Sequence, residues 1–133
     1  MPEPLCKIFI VDDDKFLLGM YELKFRTSGH DVTTAMSVPD ALSKLKEGYV
    51  PDALLLDILL GAASGLDLLE TIRREKLIPD TAVIMLTNQS STEDIERAKS
   101  LNVAGYLVKA TLVPSEVVEQ VVRIISERKK AVT

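Results

Sequence analysis

The stretch Pro51 to Gly65, PDALLLDILLGAASG, leaves the chain the least freedom. Ala53-Leu54-Leu55-Leu56 is an unbroken apolar run, too short for a helix and bounded by Pro51. Such a run reads as a strand buried on both faces, as found inside a parallel sheet. Asp57 closes it, and Gly61 and Gly65 mark a turn beyond. A carboxylate at the carboxyl end of a buried strand stands where open α/β sheets bind ligands. Taken alone, Asp57 serves equally well as a simple strand-end cap.

The rest of the chain repeats this pattern. Cys6 to Val11 reads as a first strand, followed at once by Asp12-Asp13-Asp14. Asp14 suits the N-cap of a helix from Lys15 to Thr27, with Leu17, Met20, Tyr21 and Phe25 expected on its inner face. Ser28-Gly29-His30 ends that helix; His30, the only histidine, falls in a turn and is not expected to act as a base or metal ligand. Asp31 to Met36 reads as a more polar, edge-like strand. Val38, Ala41, Leu42 and Leu45 then space a short amphipathic helix that Gly48 stops. After Gly65 a third helix carries Leu68, Leu69 and Ile72, with Arg73, Arg74 and Lys76 near its end.

Pro79-Asp80 reads as a turn. Ala82 to Leu86 is another apolar run, closed by Thr87-Asn88. Ser90 and Glu93 have capping-box spacing for a fourth helix to about Leu101, with Asn102 as its stop. Ala104 to Val108 reads as a fifth strand ending at Lys109, and Pro114 suits the first position of a last helix bearing Val118, Val121, Val122 and Ile125. That helix is expected to fade into a polar tail, leaving residues about 5–128 structured as one domain spanning 1–133. There is no internal repeat or low-complexity segment.

Five strands alternating with five helices imply a parallel sheet covered by helices on both faces. Every strand of such a sheet points the same way, so all carboxyl ends collect on one edge. Asp12, Asp13, Asp57, Thr87 and Lys109 each lie at such an end. Four separate parts of the chain therefore converge on one cleft. Three carboxylates there suit a hard divalent cation, Mg²⁺ or Mn²⁺, with oxygen ligands. Asp57 becomes a carboxylate nucleophile able to form an aspartyl phosphate, with Lys109 and Thr87 placed to stabilise the transferring phosphoryl group.

Composition narrows the alternatives. Nearly half of the 133 residues are apolar (47%), which excludes disorder. A net charge of −4 argues against nucleic acid as a direct partner. The single Cys6 excludes an internal disulfide and suits a reducing compartment. No apolar run approaches the ~18 residues of a membrane span, and no signal peptide opens the chain. A soluble, cytoplasmic protein without membrane contact is expected.

These motifs resemble, over essentially the whole chain, the receiver domain of two-component response regulators. The resemblance implies Asp12 and Asp13 as the acidic pair that binds Mg²⁺ with Asp57, and Asp57 as the phosphoacceptor. It also implies the Leu59 backbone carbonyl as a metal ligand, Thr87 as the switch hydroxyl, Lys109 as the family lysine and Tyr106 as the aromatic switch residue. Its fold would be flavodoxin-like, a three-layer doubly wound five-stranded sheet in the order 2-1-3-4-5. The implied function is to accept a phosphoryl group from a sensor histidine kinase or a histidine phosphotransfer protein. The domain would assist its own phosphorylation and dephosphorylation without being a conventional enzyme. Output would pass to an unknown partner, or to a homodimer, through the fourth helix, fifth strand and fifth helix.

Four positions depart from the family pattern: Gly61 and Ser64 replace a proline and an acid, Asn88 replaces a small residue, and Ala110 replaces a cis-proline. Because a non-proline cis bond costs about 2.5–4 kcal/mol, a trans Lys109–Ala110 peptide in a rearranged loop is expected. Two other readings compete. A haloacid dehalogenase-type phosphatase would use Asp12-Asp13-Asp14 as its nucleophile motif, but Phe16 is atypical there and no paired late aspartates follow Lys109. A non-phosphorylated receiver acting only as an interaction module would leave its clustered acids repelling one another with no ligand to offset them.

Overall fold

A computed structural model describes residues 5–89 and 91–132, the side chains of residues 131 and 132 excepted. Five strands form one parallel sheet: β1 (Lys7–Val11), β2 (Asp31–Ala35), β3 (Ala53–Leu56), β4 (Ala82–Thr87) and β5 (Gly105–Val108). Their spatial order is β2-β1-β3-β4-β5, the doubly wound flavodoxin-like order. β3 pairs with β1 on one side and β4 on the other, and all four of its residues are buried. The polar β2 lies at an edge, as its sequence suggests.

Five helices cover the sheet: α1 (Lys15–Thr27), α2 (Val38–Lys46), α3 (Gly65–Arg74), α4 (Thr92–Ser100) and α5 (Pro114–Val132). Alternation along the strands splits the core in two. Ile8, Ile10, Leu55 and Ile84 face α1 and α5, packing with Leu18, Phe25, Val117 and Val121. Phe9, Val11, Leu54, Leu56, Val83 and Met85 face the other way, against Leu45, Leu69, Ile72 and Ala98 of α2, α3 and α4. Neither layer of helices could bury its apolar face without the sheet between them.

Local chemistry sets the boundaries. Asp14 caps α1, its carboxylate accepting from the Phe16 and Leu17 amides at 3.0 and 3.1 Å. Ser37 caps α2 and Ser64 caps α3. Asn102 adopts φ +59° just after α4, the left-handed conformation that ends helices.

Several details differ from the sequence reading. The inner face of α1 is Leu18, Tyr21 and Phe25, with Leu17 half-buried; Met20 turns outward beside Phe16 and Leu23. The cap of α4 is Ser91, bonded to the Asp94 amide, one residue after Ser90, which lies outside the described residues. His30, expected in a turn, lies just past it and immediately before β2, buried against Phe25. The turn after Asp57 is a small hairpin, Leu59–Leu60 with Ala63–Ser64. Helical backbone continues in α5 through the polar ERKK stretch to Val132. No cis peptide occurs among the described residues, so the Lys109–Ala110 bond is trans, and a short 3₁₀ turn, Lys109–Thr111, leads toward α5.

Candidate functional site: an acidic, lysine-bridged cleft

The ladders of the sheet carry two carboxylates to the same place. The Asp12 amide donates to Ala35 at 3.1 Å and the Asp57 amide to Val11 at 3.2 Å, so pairing continues one residue beyond β1 and β3. Their side chains then emerge side by side at the carboxyl edge, Asp12 only 1% and Asp57 8% exposed. The Lys109 ammonium, at the end of β5, lies 2.6 Å from Asp12 Oδ2 and 2.6 Å from Asp57 Oδ2. One cation therefore serves two buried anions.

The electrostatics follow from that count. Burial pushes the Asp12 carboxyl above its usual range, partly offset by Lys109 and by the Asp14 amide, which donates to Asp12 Oδ1 at 2.9 Å. Burial alone would lower the Lys109 pKa, but the bonds to Asp12 and Asp57 outweigh it and raise it. Lys109 is thus firmly charged at neutral pH.

Asp13 stands at the exposed rim, where its Oδ2 accepts from the Gly61 amide at 2.8 Å. Gly61 has φ +64°, a left-handed turn conformation that suits glycine. One carboxylate oxygen from each of Asp12, Asp13 and Asp57 lies within 4.8 Å of the others. Three hard, negatively charged oxygen donors in that space fit a small divalent cation such as Mg²⁺.

The remaining expected residues line or approach the same cleft of about 430 Å³. Thr87 is fully buried, and its Oγ1 accepts from the Gln89 amide at 3.2 Å. Leu59 lies at the exposed rim, its amide donating weakly to Asp57 Oδ1 at 3.4 Å. Tyr106 is half-buried on β5, and its hydroxyl donates to the Gln89 carbonyl. It meets the β4–α4 loop and not the carboxylates themselves.

Two features of the site were not read from the sequence. Gly65 is read there only as part of a turn, yet a Cβ added to it would lie 1.9 Å from the Asp57 carbonyl oxygen. Its amide donates to Ile58 at 2.7 Å, clamping the start of α3 against the backbone that carries Asp57. The second feature is a bond from the Ala110 amide to Asn88 Oδ1 at 2.8 Å, joining two loops 22 residues apart in sequence. The one hint in the sequence is that both positions depart from the receiver pattern.

A five-stranded sheet in this order, with an acidic cleft bridged by lysine at its carboxyl edge, defines a doubly wound α/β domain with its candidate site at the strand ends. The chain belongs to the response regulator receiver domain family, whose pattern matches residues 8–122. It is 30% identical over 126 residues to the response regulator SaeR of Staphylococcus aureus, covering 95% of this chain and 53% of that protein. The chain thus spans about half the length of the curated relatives it matches. Its fold resembles a CheY-like receiver domain protein from Methanospirillum hungatei, with a TM-score of 0.85, 25% identity and coverage of 98% and 99% of the two chains. It also resembles the BeF3-activated receiver domain of DrrB from Thermotoga maritima, with a TM-score of 0.76 and 26% identity over 91% of this chain and 97% of that one. The match is to receivers and not to the phosphatase alternative.

Proposed function

We propose that residues 1–133 form a single phosphorylatable receiver domain, with Asp57 as the residue that takes the phosphoryl group. The observation that carries this reading is the Lys109 ammonium held 2.6 Å from both Asp12 and Asp57 in a cleft with three convergent carboxylates. An Asp57 oxygen attacks phosphorus in line with the bond from phosphorus to the histidine nitrogen of a kinase or phosphotransfer protein. The P–O bond forms, the P–N bond breaks, and the imidazole nitrogen leaves with the electron pair. Mg²⁺ or Mn²⁺, held by Asp12, Asp13, Asp57 and the Leu59 carbonyl, would supply neutralisation of the phosphoryl charge.

The chain's own groups complete the arrangement. Lys109 shifts from sharing two carboxylates to pairing with a phosphoryl oxygen. The Thr87 hydroxyl turns from accepting the Gln89 amide to donating to another oxygen. Movement of that loop reaches Tyr106, whose hydroxyl is bonded to Gln89, and so alters the surface of α4, β5 and α5. That surface is where an output partner or a second copy would dock. The domain signals by population shift, and its chemistry is limited to gaining and losing its own phosphoryl group.

Phe16, Met20 and Leu23 leave an outward apolar stripe on α1, the helix that follows the acidic run, which supports docking of the phosphoryl donor there. Among the described residues no helix is long and apolar enough to cross a membrane. A cytoplasmic setting agrees with a donor of that kind and with the buried, unpaired Cys6. The test is labelling by acetyl phosphate with Mg²⁺. Wild type is expected to gain a label that chelation prevents and that Asp57→Asn abolishes. Equal labelling of Asp57→Asn would sink the assignment.

A further inference from the structure

The Lys109 side chain must cross from the end of β5 to two buried carboxylates, so its direction depends on the backbone just after it. That backbone is a trans peptide entering a single 3₁₀ turn, Lys109–Thr111. Within the turn the hydrogen bonds are few. The Leu112 amide reaches the Lys109 carbonyl at a long 3.3 Å, and the Thr111 hydroxyl donates to the Val108 carbonyl at 3.0 Å. The shortest bond comes from outside: Asn88 Oδ1 accepts from the Ala110 amide at 2.8 Å. That amide is the one immediately following Lys109, so fixing it fixes the plane of the Lys109–Ala110 peptide.

Asn88 is itself firmly placed. It follows Thr87, which is fully buried at the end of β4, and precedes Gln89, which holds both the Thr87 hydroxyl and the Tyr106 hydroxyl. The chain from residue 87 to 89 is therefore tied on both sides, and the Asn88 side chain reaches across to the lysine turn.

We propose that Asn88 is a positioning residue for Lys109, its side-chain oxygen holding the trans Lys109–Ala110 peptide in the turn that aims the ammonium at Asp12 and Asp57. Resting on the receiver reading above, it also couples the loop of Thr87 to the lysine, so that the two phosphoryl-binding groups move together. An alanine at 88 removes the acceptor, and a proline at 110 removes the donor. An aspartate at 88 keeps an acceptor in the same place.

The experiment combines two readouts on the full chain. The first is the ¹⁵N-resolved NMR signal of the Lys109 ammonium, which a hydrogen-bonded, protected group displays and a solvent-exchanging one loses. The second is the initial rate of acetyl phosphate labelling in saturating Mg²⁺. Asn88→Ala is expected to lose the ammonium signal and to slow labelling about fivefold, the effect of one net hydrogen bond. Asn88→Asp is expected to keep the signal. In an Ala110→Pro background, Asn88→Ala is expected to change neither readout. The proposal is overturned if Asn88→Ala leaves the ammonium signal intact, or if it acts equally strongly in the Ala110→Pro background. A wild-type chain that shows the ammonium signal but takes no label would count against the phosphorylation reading and not against this one.

Discussion

At the scale of single residues, the site is a problem of charge balance. Lys109, with its side chain 7% exposed, is the cation bonded to both Asp12 and Asp57 in the cleft. Lys109→Met would leave two buried carboxylates without a counterion, a change expected to cost about 3 kcal/mol of stability. Addition of Mg²⁺ should restore a large part of that loss, which thermal melts with and without the metal would show; a loss unaffected by metal would mean the acids do not bind it. Asp13 adds a third negative charge at the rim. Asp13→Asn is therefore expected to raise the metal-free melting temperature by a few degrees while weakening Mg²⁺ binding. Isothermal titration finding unchanged affinity in that variant would remove Asp13 from the ligand set. Gly65 presents a steric limit instead. A methyl group at 65 would meet the Asp57 carbonyl at 1.9 Å, so Gly65→Ala should cost about 3 kcal/mol and displace Asp57. Denaturant titration showing wild-type stability would contradict that close approach.

At the scale of elements, the sequence specified the strands well because each is a short apolar run ended by a chemically distinctive residue. Asp57 and Thr87 are legible for that reason: burial on both faces forces unbroken hydrophobicity, and the first polar residue marks the strand end. The face of α1 was less legible. Phe16, Leu17, Leu18, Met20, Tyr21, Leu23 and Phe25 make nearly every side of that helix apolar, so periodicity alone does not select the buried stripe. The burial of His30 is not legible for a related reason: a histidine after a glycine looks like a turn, but pairing of the Asp31 amide with the Cys6 carbonyl draws the chain inward. Burial lowers the His30 pKa, and its Nδ1 has no hydrogen-bond partner among the described residues. The unfolded chain therefore takes up this proton more readily. Its contribution to stability is complete above pH about 6.5 and declines as pH falls below that value. Between pH 6.5 and 5, His30→Gln should flatten the stability profile, and an identical slope in both proteins would show that His30 does not carry it. The Asn88–Ala110 bond lay beyond the reach of local pattern, since it joins two loops through a side chain and a backbone amide.

At the scale of the whole molecule, the parallel sheet turns distant residues into one site. Asp12, Asp57, Thr87 and Lys109 share no local sequence, and the order β2-β1-β3-β4-β5 brings their strand ends to a common edge. Alternation of strands and helices dictates the direction of every strand, whereas their lateral order follows from the family resemblance and from the sheet itself. The same edge joins the cleft to the α4–β5–α5 surface through Gln89, which binds Thr87 on one side and Tyr106 on the other. A phosphoryl group on Asp57 would act on that linkage. The most direct measurement is site mapping of the acyl phosphate by mass spectrometry after treatment with acetyl phosphate and Mg²⁺. One phosphoryl group on the peptide containing Asp57, absent when the metal is chelated, is the predicted result. A label on Asp12 or Asp13, or no label on a folded, Mg²⁺-binding chain, would contradict it.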